Sequence, residues 1–356
     1  MTGKNFISRY FEDYDVGMKI VHPLPRMVTE GDRALYIALT GSRFPLHCSD
    51  PYAQALGYPR APLEDMLVFH MVFGRTVPDL SLNAVANLGY AGCRFGVPVY
   101  VGDTLYADSV ITGVRENSNG VTGTVYVHSR GWNQKGETVL EYDRWLMMRR
   151  RDKSAGKASP STTHVPTLPS HLSEQELYIP PFFRREGVDS TLVGTDAWWD
   201  DYDIGEECHH IDGMTIEEAE HQMATRLYQN NARVHFNQHQ EKDNRFGRRI
   251  IYGGHILSLA RALSANGFAH AVRLAAIHGG SHRAPSFAGD TLYAWSKVID
   301  KKTIEGCETL AAMRVRTIAA KDDDVMTFPD PQDKQAWRSS LVLDVDYTLL
   351  LPRRGA

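Results

Sequence analysis

The sequence predicts an α+β protein built twice over, each copy a buried central helix wrapped by an antiparallel sheet. Three observations carry this. The chain of 356 residues repeats itself once. Each copy holds a segment that is apolar nearly all round, and each such segment is followed by β-rich stretches separated by turn signals.

The repeat has three anchors in one order. "EDYDVG" at 12–17 returns as "DDYDIG" at 200–205, so that Asp15 and Asp203 lie 188 residues apart. "RFPLH" ending at His47 returns as "ARVH" ending at His235, again 188 apart, and "PVYVGDTLYADS" from Pro98 returns as "PSFAGDTLYAWS" from Pro285. Between the copies runs "RRRDKSAGKASPSTTHVPTLPSHLSEQ", poor in large apolar residues and rich in Ser, Thr and Pro, which is linker composition. The expected organisation is therefore residues 1–150, a linker at 151–190, and residues 191–356, with each half an ordinary domain size.

Within the first copy, "TEGDRALYIALTG" from Thr29 has an N-cap Thr, early acidic residues and a terminal Gly, which predicts a short helix. "LEDMLVFHMVFGRTV", from Leu63 to Val77, predicts a helix buried on most sides. Its counterpart "GGHILSLARALSANG" opens on Gly253 and Gly254 and stops at an Asn-Gly. Strands are predicted in "DTLYADSVITGV", "GVTGTVYVHSRG" and "TVLEYDRWLMMRR", and again in "DTLYAWSKVI", "ETLAAMRVRTI" and "SLVLDVDYTLLL". A longer loop, "AAKDDDVMTFPDPQDKQAW", replaces the "NQKG" turn in the second copy. In both "GDTLYA" stretches the Gly turns the chain and Asp103 or Asp290 bonds locally, a structural role. Two such units can pair their sheets as a pseudo-dimer.

Composition narrows the function classes. With 39 basic and 43 acidic residues the net charge is −4, so there is no footprint for nucleic acid and no polybasic arm for a membrane. Four scattered cysteines without CxxC spacing argue against zinc ribbons and disulfide frameworks and point to a reducing cytoplasm. No run of about 18 apolar residues predicts a membrane span. His235 and His239 have i, i+4 spacing, but no HExxH or cysteine cluster accompanies them and no metal is predicted. No G-x-G-x-x-G follows a strand, so no dinucleotide cofactor is expected. His70, His128, His209, His210 and His282 have no duplicated arrangement and read as packing residues.

"LTGSRFPLH", then "GYPRAPLEDML", then "RFGVPVYVGDTL" resembles the MaoC-like, or type 2 enoyl-CoA hydratase, family of hotdog proteins. Its signature runs T-G-D-x-N-P-[LIV]-H, a Gly at the central helix start, then R-F-x-x-P-V-x-x-G-D-T-L. Both halves look like this family, which implies a double hotdog fold and reversible addition of water to the double bond of a CoA thioester. The double length implies mesaconyl-CoA as substrate, no cofactor beyond the CoA it carries, and a homodimer. Thioester hydrolysis on the same fold, or a CoA-binding module without turnover, are the alternatives.

The family's catalytic histidine falls on His47 and His235, while its aspartate is replaced by Ser42 and Asn230. Either a histidine alone takes the proton with Ser42 or Asn230 orienting the water, or a carboxylate enters from elsewhere, with Asp50, Glu64 and Asp65 nearest in sequence. "PLEDML" puts carboxylates where an oxyanion would sit, whereas "YGGHIL" offers Gly253 and Gly254, whose bare N–H groups suit a thioester oxygen. That favours His235 with Asn230; the opposing reading pairs His47 with Glu64. A dicarboxylic substrate needs a cationic clamp, for which Arg43, Arg233 and Arg60 are the candidates.

Overall fold

The computed structural model describes residues 9–151, 163–324 and 340–355. Its strands are β1 (Lys19–Met27), β2 (Ala84–Phe95), β3 (Thr104–Glu116), β4 (Thr122–Trp132), β5 (Thr138–Arg149), β6 (Glu207–Thr215), β7 (Arg273–His282), β8 (Thr291–Ile304), β9 (Cys307–Lys321) and β10 (Leu341–Pro352). They form one sheet in the order β1-β3-β4-β5-β2-β7-β10-β9-β8-β6, which reads the same from either end under the repeat. The seam is the antiparallel pair β2–β7, where Tyr90 faces Gly280 and Arg94 faces Ala276. Joining there removes an exposed edge from each half.

Each half wraps a central helix. The first, Asp65–Thr76, has all twelve residues buried, as its unbroken apolar sequence requires, and it packs on β3, β1, β5 and β7. The second, Gly253–Leu263, packs on β8, β10, β6 and β9. Burial of each Leu, Phe or Met along them contributes about 1.5–3 kcal/mol. Strand β3 alternates buried and part-buried residues, the signature of a half-buried strand.

The caps follow from composition. Thr29 accepts the Asp32 N–H, Asp32 returns the bond to the Thr29 N–H at 2.8 Å, and the helix Glu30–Thr40 ends on Gly41 at φ 65°. In both "GDTLYA" stretches the Gly has positive φ, 96° at Gly102 and 97° at Gly289, and the Asp after it accepts a backbone N–H, from Tyr100 for Asp103 and Phe287 for Asp290. These aspartates hold the turns together through local backbone bonds.

The halves also meet through polar groups. Asp65 pairs with Arg273 at 2.8 Å and accepts the Leu274 N–H at 3.0 Å, both partners buried. Ser258 on the second central helix meets His70 on the first at 2.7 Å and Tyr36 at 3.0 Å.

The segment between the copies is not a loose tether over 163–190; residues 152–162 of the expected linker, and 325–339 of the long second-copy loop, lie outside the described residues. His164 exchanges both backbone bonds with Val114, the Leu172 N–H donates to His278, and Leu177 and Phe183 are buried. Leu177 packs with Ala276, Ala312 and Leu350, which alternate with helix-facing neighbours, so this stretch covers the far face of the sheet.

Candidate active site

In each half a helix delivers the chain to a short helical turn that carries a histidine. His47 sits in Pro45–Cys48 and His235 in Arg233–Phe236. Both are anchored alike: His47 Nδ1 donates to the Pro62 carbonyl at 3.1 Å and His235 Nδ1 to the Ile250 carbonyl at 2.9 Å. That bond fixes the ring and leaves Nε2 with a free lone pair. Before the second histidine, Gln229 takes a left-handed φ of 54° where the first copy has Gly41, and turns Asn230 inward. Asn230 is 1 % exposed, and its side-chain carbonyl accepts the Ala232 N–H at 3.2 Å. Its NH₂ remains to orient a ligand, but an amide cannot take a proton.

The halves part here. Asn230, His235 and Gly253 line one cavity of about 320 Å³, whose walls come from both halves. Strand β2 contributes Asn87 and Tyr90, β5 contributes Arg144 and Leu146, and the end of the first central helix, wound as a π-turn over Val77–Ser81, contributes Val77 and Ser81. The second half adds Tyr252, Arg245, His282 and Arg283. No Asp or Glu among the described residues lines it.

The other candidates lie elsewhere. His47 is buried, and no hydrogen bond among the described residues joins it to Glu64 or Asp50. Glu64 stands at the N-cap position of the first central helix without a side-chain cap bond, buried, with Oε1 unpartnered. Asp50 is exposed and occupied by the Ala61 N–H and Arg33. Gly254 is buried one residue inside the helix start, behind Gly253. Arg43 is exposed and pairs with Asp212, Arg60 is exposed and donates to the Val101 carbonyl, and Arg233 is exposed and donates to Asn83. These three arginines stay in solvent, as long cationic side chains on loops do, and none lines the cavity.

Sequence reasoning passed over His282 because the first copy has Phe95 in its place. Its ring lies directly on the second helix start: a Cβ on Gly253 would fall 2.5 Å from Cε1 of His282. The N–H groups of Gly253 and Gly254 have no acceptor among the described residues, as expected for the first turn of a helix. An anion-like oxygen brought against Gly253 therefore meets unpaired donors, the positive end of a helix dipole and His282. Gly253→Ala should push His282 away and lower kcat for the chemical step about tenfold or more; unchanged kcat would detach this helix start from the reaction.

Burial lowers the His235 pKa from its ordinary 6.5 to about 4, with the Ile250 carbonyl opposing, and lowers that of His282 to about 4, with His235 adding to the effect. Both are neutral at neutral pH, the form in which an imidazole can accept a proton. Activity that depends on neutral His235 should hold down to about pH 5 and fall through about 4, read as initial rates after rapid dilution into acid buffer. Stability moves separately. His210 and His255, both buried and lowered to about 4, gain protons in the unfolded chain below 6.5 but not in the folded one until about 4. Their contribution is complete above pH 6.5 and is lost as pH falls towards 4, so Tm should drop across that window.

A double hotdog whose cavity brings an imidazole to a helix start with free N–H groups is an arrangement suited to a CoA-thioester hydro-lyase of the MaoC-like class. The mesaconyl-CoA hydratase family model matches residues 4–330, and the chain belongs to that family. It is 54% identical over 355 residues to the beta-methylmalyl-CoA dehydratase of Chloroflexus aurantiacus, covering all of both chains. It is 47% identical over 350 residues to the mesaconyl-CoA hydratase of Cereibacter sphaeroides, covering 98% of this chain and all of that one. The crystal structure of a MaoC domain protein dehydratase from C. aurantiacus superposes with a TM-score of 0.95 at 54% identity, over 99% of this chain and 100% of that one. A Mycobacterium tuberculosis protein described as a double hotdog shares the fold at a TM-score of 0.73 and 22% identity, covering 97% and 99% of the two chains.

Proposed function

We propose that this enzyme adds water reversibly to mesaconyl-CoA to give β-methylmalyl-CoA, at the cavity between its halves. The observation that carries the site is the convergence of His235, Asn230 and Gly253 on that one cavity. Asn230 orients a water through its NH₂ and His235 Nε2 takes one of its protons. The remaining hydroxide adds to the β-carbon, and the π-electron pair moves to the α-carbon and thioester oxygen, where the Gly253 N–H receives the charge. His235 then returns its proton to the α-carbon, so the enzyme ends unchanged. The names of the two full-length relatives support the substrate. Residues 1–150 and 191–356 are read as the two hotdog units with 151–190 between them, acting as a homodimer in the cytoplasm. No helix among the described residues is long and apolar enough to cross a membrane.

The test is incubation with mesaconyl-CoA. The expected result is loss of the conjugated enoyl-thioester absorbance without release of free thiol; thiol release with the alkene intact would identify a thioesterase instead. Light scattering should give twice the mass of one chain, and a monomer would remove the dimer.

A further inference from the structure

Along β5 the residues Leu140, Tyr142, Arg144, Leu146 and Met148 all point inward and are buried. Arg144 is the break in this apolar row. It is 1 % exposed, its guanidinium lies 4.3 Å from the centre of the Phe73 ring, and it donates to Thr76 Oγ1 at 2.7 Å and weakly to Ser81 Oγ at 3.5 Å. Its Nε is buried without an acceptor, and it has no carboxylate partner among the described residues. Two buried arginines are neutralised, Arg150 by Glu12 and Glu116 and Arg273 by Asp65; Arg75 and Arg261 are buried without an ion pair among the described residues, but neither lines this cavity. In the same wall of the cavity, Asn87 has both side-chain atoms buried and unpartnered. A buried cation without a counter-ion, beside an idle amide, is costly unless a ligand completes it.

The second half differs at this strand position. Val127 on β4 pairs with Arg144, and Val315 on β9, 188 residues on, pairs with Tyr347. Tyr347 is thus the counterpart of Arg144, and the void it lines is about 10 Å³. At this strand position the open cavity has an arginine and the closed void a tyrosine, the void's own cation, Arg261, coming from the central helix instead.

We infer that Arg144, assisted by the Asn87 amide, holds the free carboxylate at the far end of the acyl chain and selects dicarboxylic over monocarboxylic thioesters. The inference rests on the hydratase reading for the kind of ligand. A planar guanidinium and an amide NH₂ match two carboxylate oxygens. The phosphates of CoA are poorly suited to so deep a cation; exposed Arg245 lies on the lining for groups nearer solvent.

The experiment measures binding of succinyl-CoA and butyryl-CoA by calorimetry. Both are saturated and cannot be hydrated, so the readout is independent of turnover. The wild-type chain should bind succinyl-CoA about 10–100-fold more tightly. Arg144→Gln should abolish that preference with butyryl-CoA affinity little changed, Arg144→Lys should keep part of it, and Asn87→Ala should narrow it. Circular dichroism checks that each variant folds, and if Arg144→Gln does not, the wild-type preference and Asn87→Ala decide. Equal wild-type affinities, or a preference that survives in folded Arg144→Gln or is untouched in Asn87→Ala, would overturn the proposal. A succinyl preference without mesaconyl-CoA hydration removes the proposed reaction and keeps the carboxylate site; hydration without the preference does the reverse.

Discussion

Replacing His235 with glutamine is expected to lower kcat for hydration by about 10²–10⁴-fold, the usual contribution of a positioned general base. Glutamine keeps a donor towards the Ile250 carbonyl, so the loop should hold its place while the proton acceptor is lost. KM should change little, because the imidazole contributes to the transition state more than to holding the CoA. His47→Gln is the matched control. His47 has the same anchor but does not line the cavity, and its replacement should alter kcat by less than about threefold. If His47→Gln is the inactive variant and His235→Gln the active one, the working site belongs to the other half. The comparison is clean because the two residues share sequence context, local conformation and hydrogen-bond partner type.

The largest effect on stability is expected at Asp65. Its carboxylate neutralises buried Arg273 and takes the Leu274 N–H, so Asp65→Ala strands a cation and a backbone donor inside the protein. The cost should be about 3–5 kcal/mol by denaturant unfolding, much more than either charge would cost on the surface. Replacing both partners with apolar residues, Asp65→Leu with Arg273→Met, should recover most of the loss, since the desolvation of two charges disappears together. A single variant that loses under about 1 kcal/mol would mean that water reaches the pair. The same residue explains why the first central helix is a poor place for an oxyanion: its opening turn is filled by a carboxylate already committed to the other half.

The fold was legible because duplication prints every signal twice. Thr29 and the acidic residues after it announced a cap, the apolar run from Leu63 to Val77 announced a helix buried on most sides, and the two "GDTLYA" stretches announced turns whose aspartates bond locally. The path of 163–190 was not legible, since Leu177 and Phe183 are too few and too far apart to form a period. They dock on a surface that other strands create. The candidate site was half legible. His235 is carried by the duplicated motif, and Asn230 and Gly253 by the positions where the copies differ, but the cavity is completed by β2 and β5 of the other copy, at a seam that no local pattern encodes. His282 was set aside for want of a twin, although asymmetry is what a single site requires. Arg144 did leave a trace, as the one charge on the inward face of "LEYDRWLM". Asn87 left none, because its isolation is a property of the assembled wall.

The palindromic order of the ten-stranded sheet carries a further consequence. In a dimer of identical half-length chains, any substitution is made at both sites at once, and a cation useful in one pocket must be tolerated in the other. Covalent fusion breaks that bond of inheritance. Once both halves lie on one chain, position 144 can be arginine while its twin at 347 becomes tyrosine, and Phe95 can remain while its twin becomes His282. Under the proposed assignment one pocket is then free to specialise in chemistry while the other is filled in as core, and the chain exchanges two equal sites for a single asymmetric one.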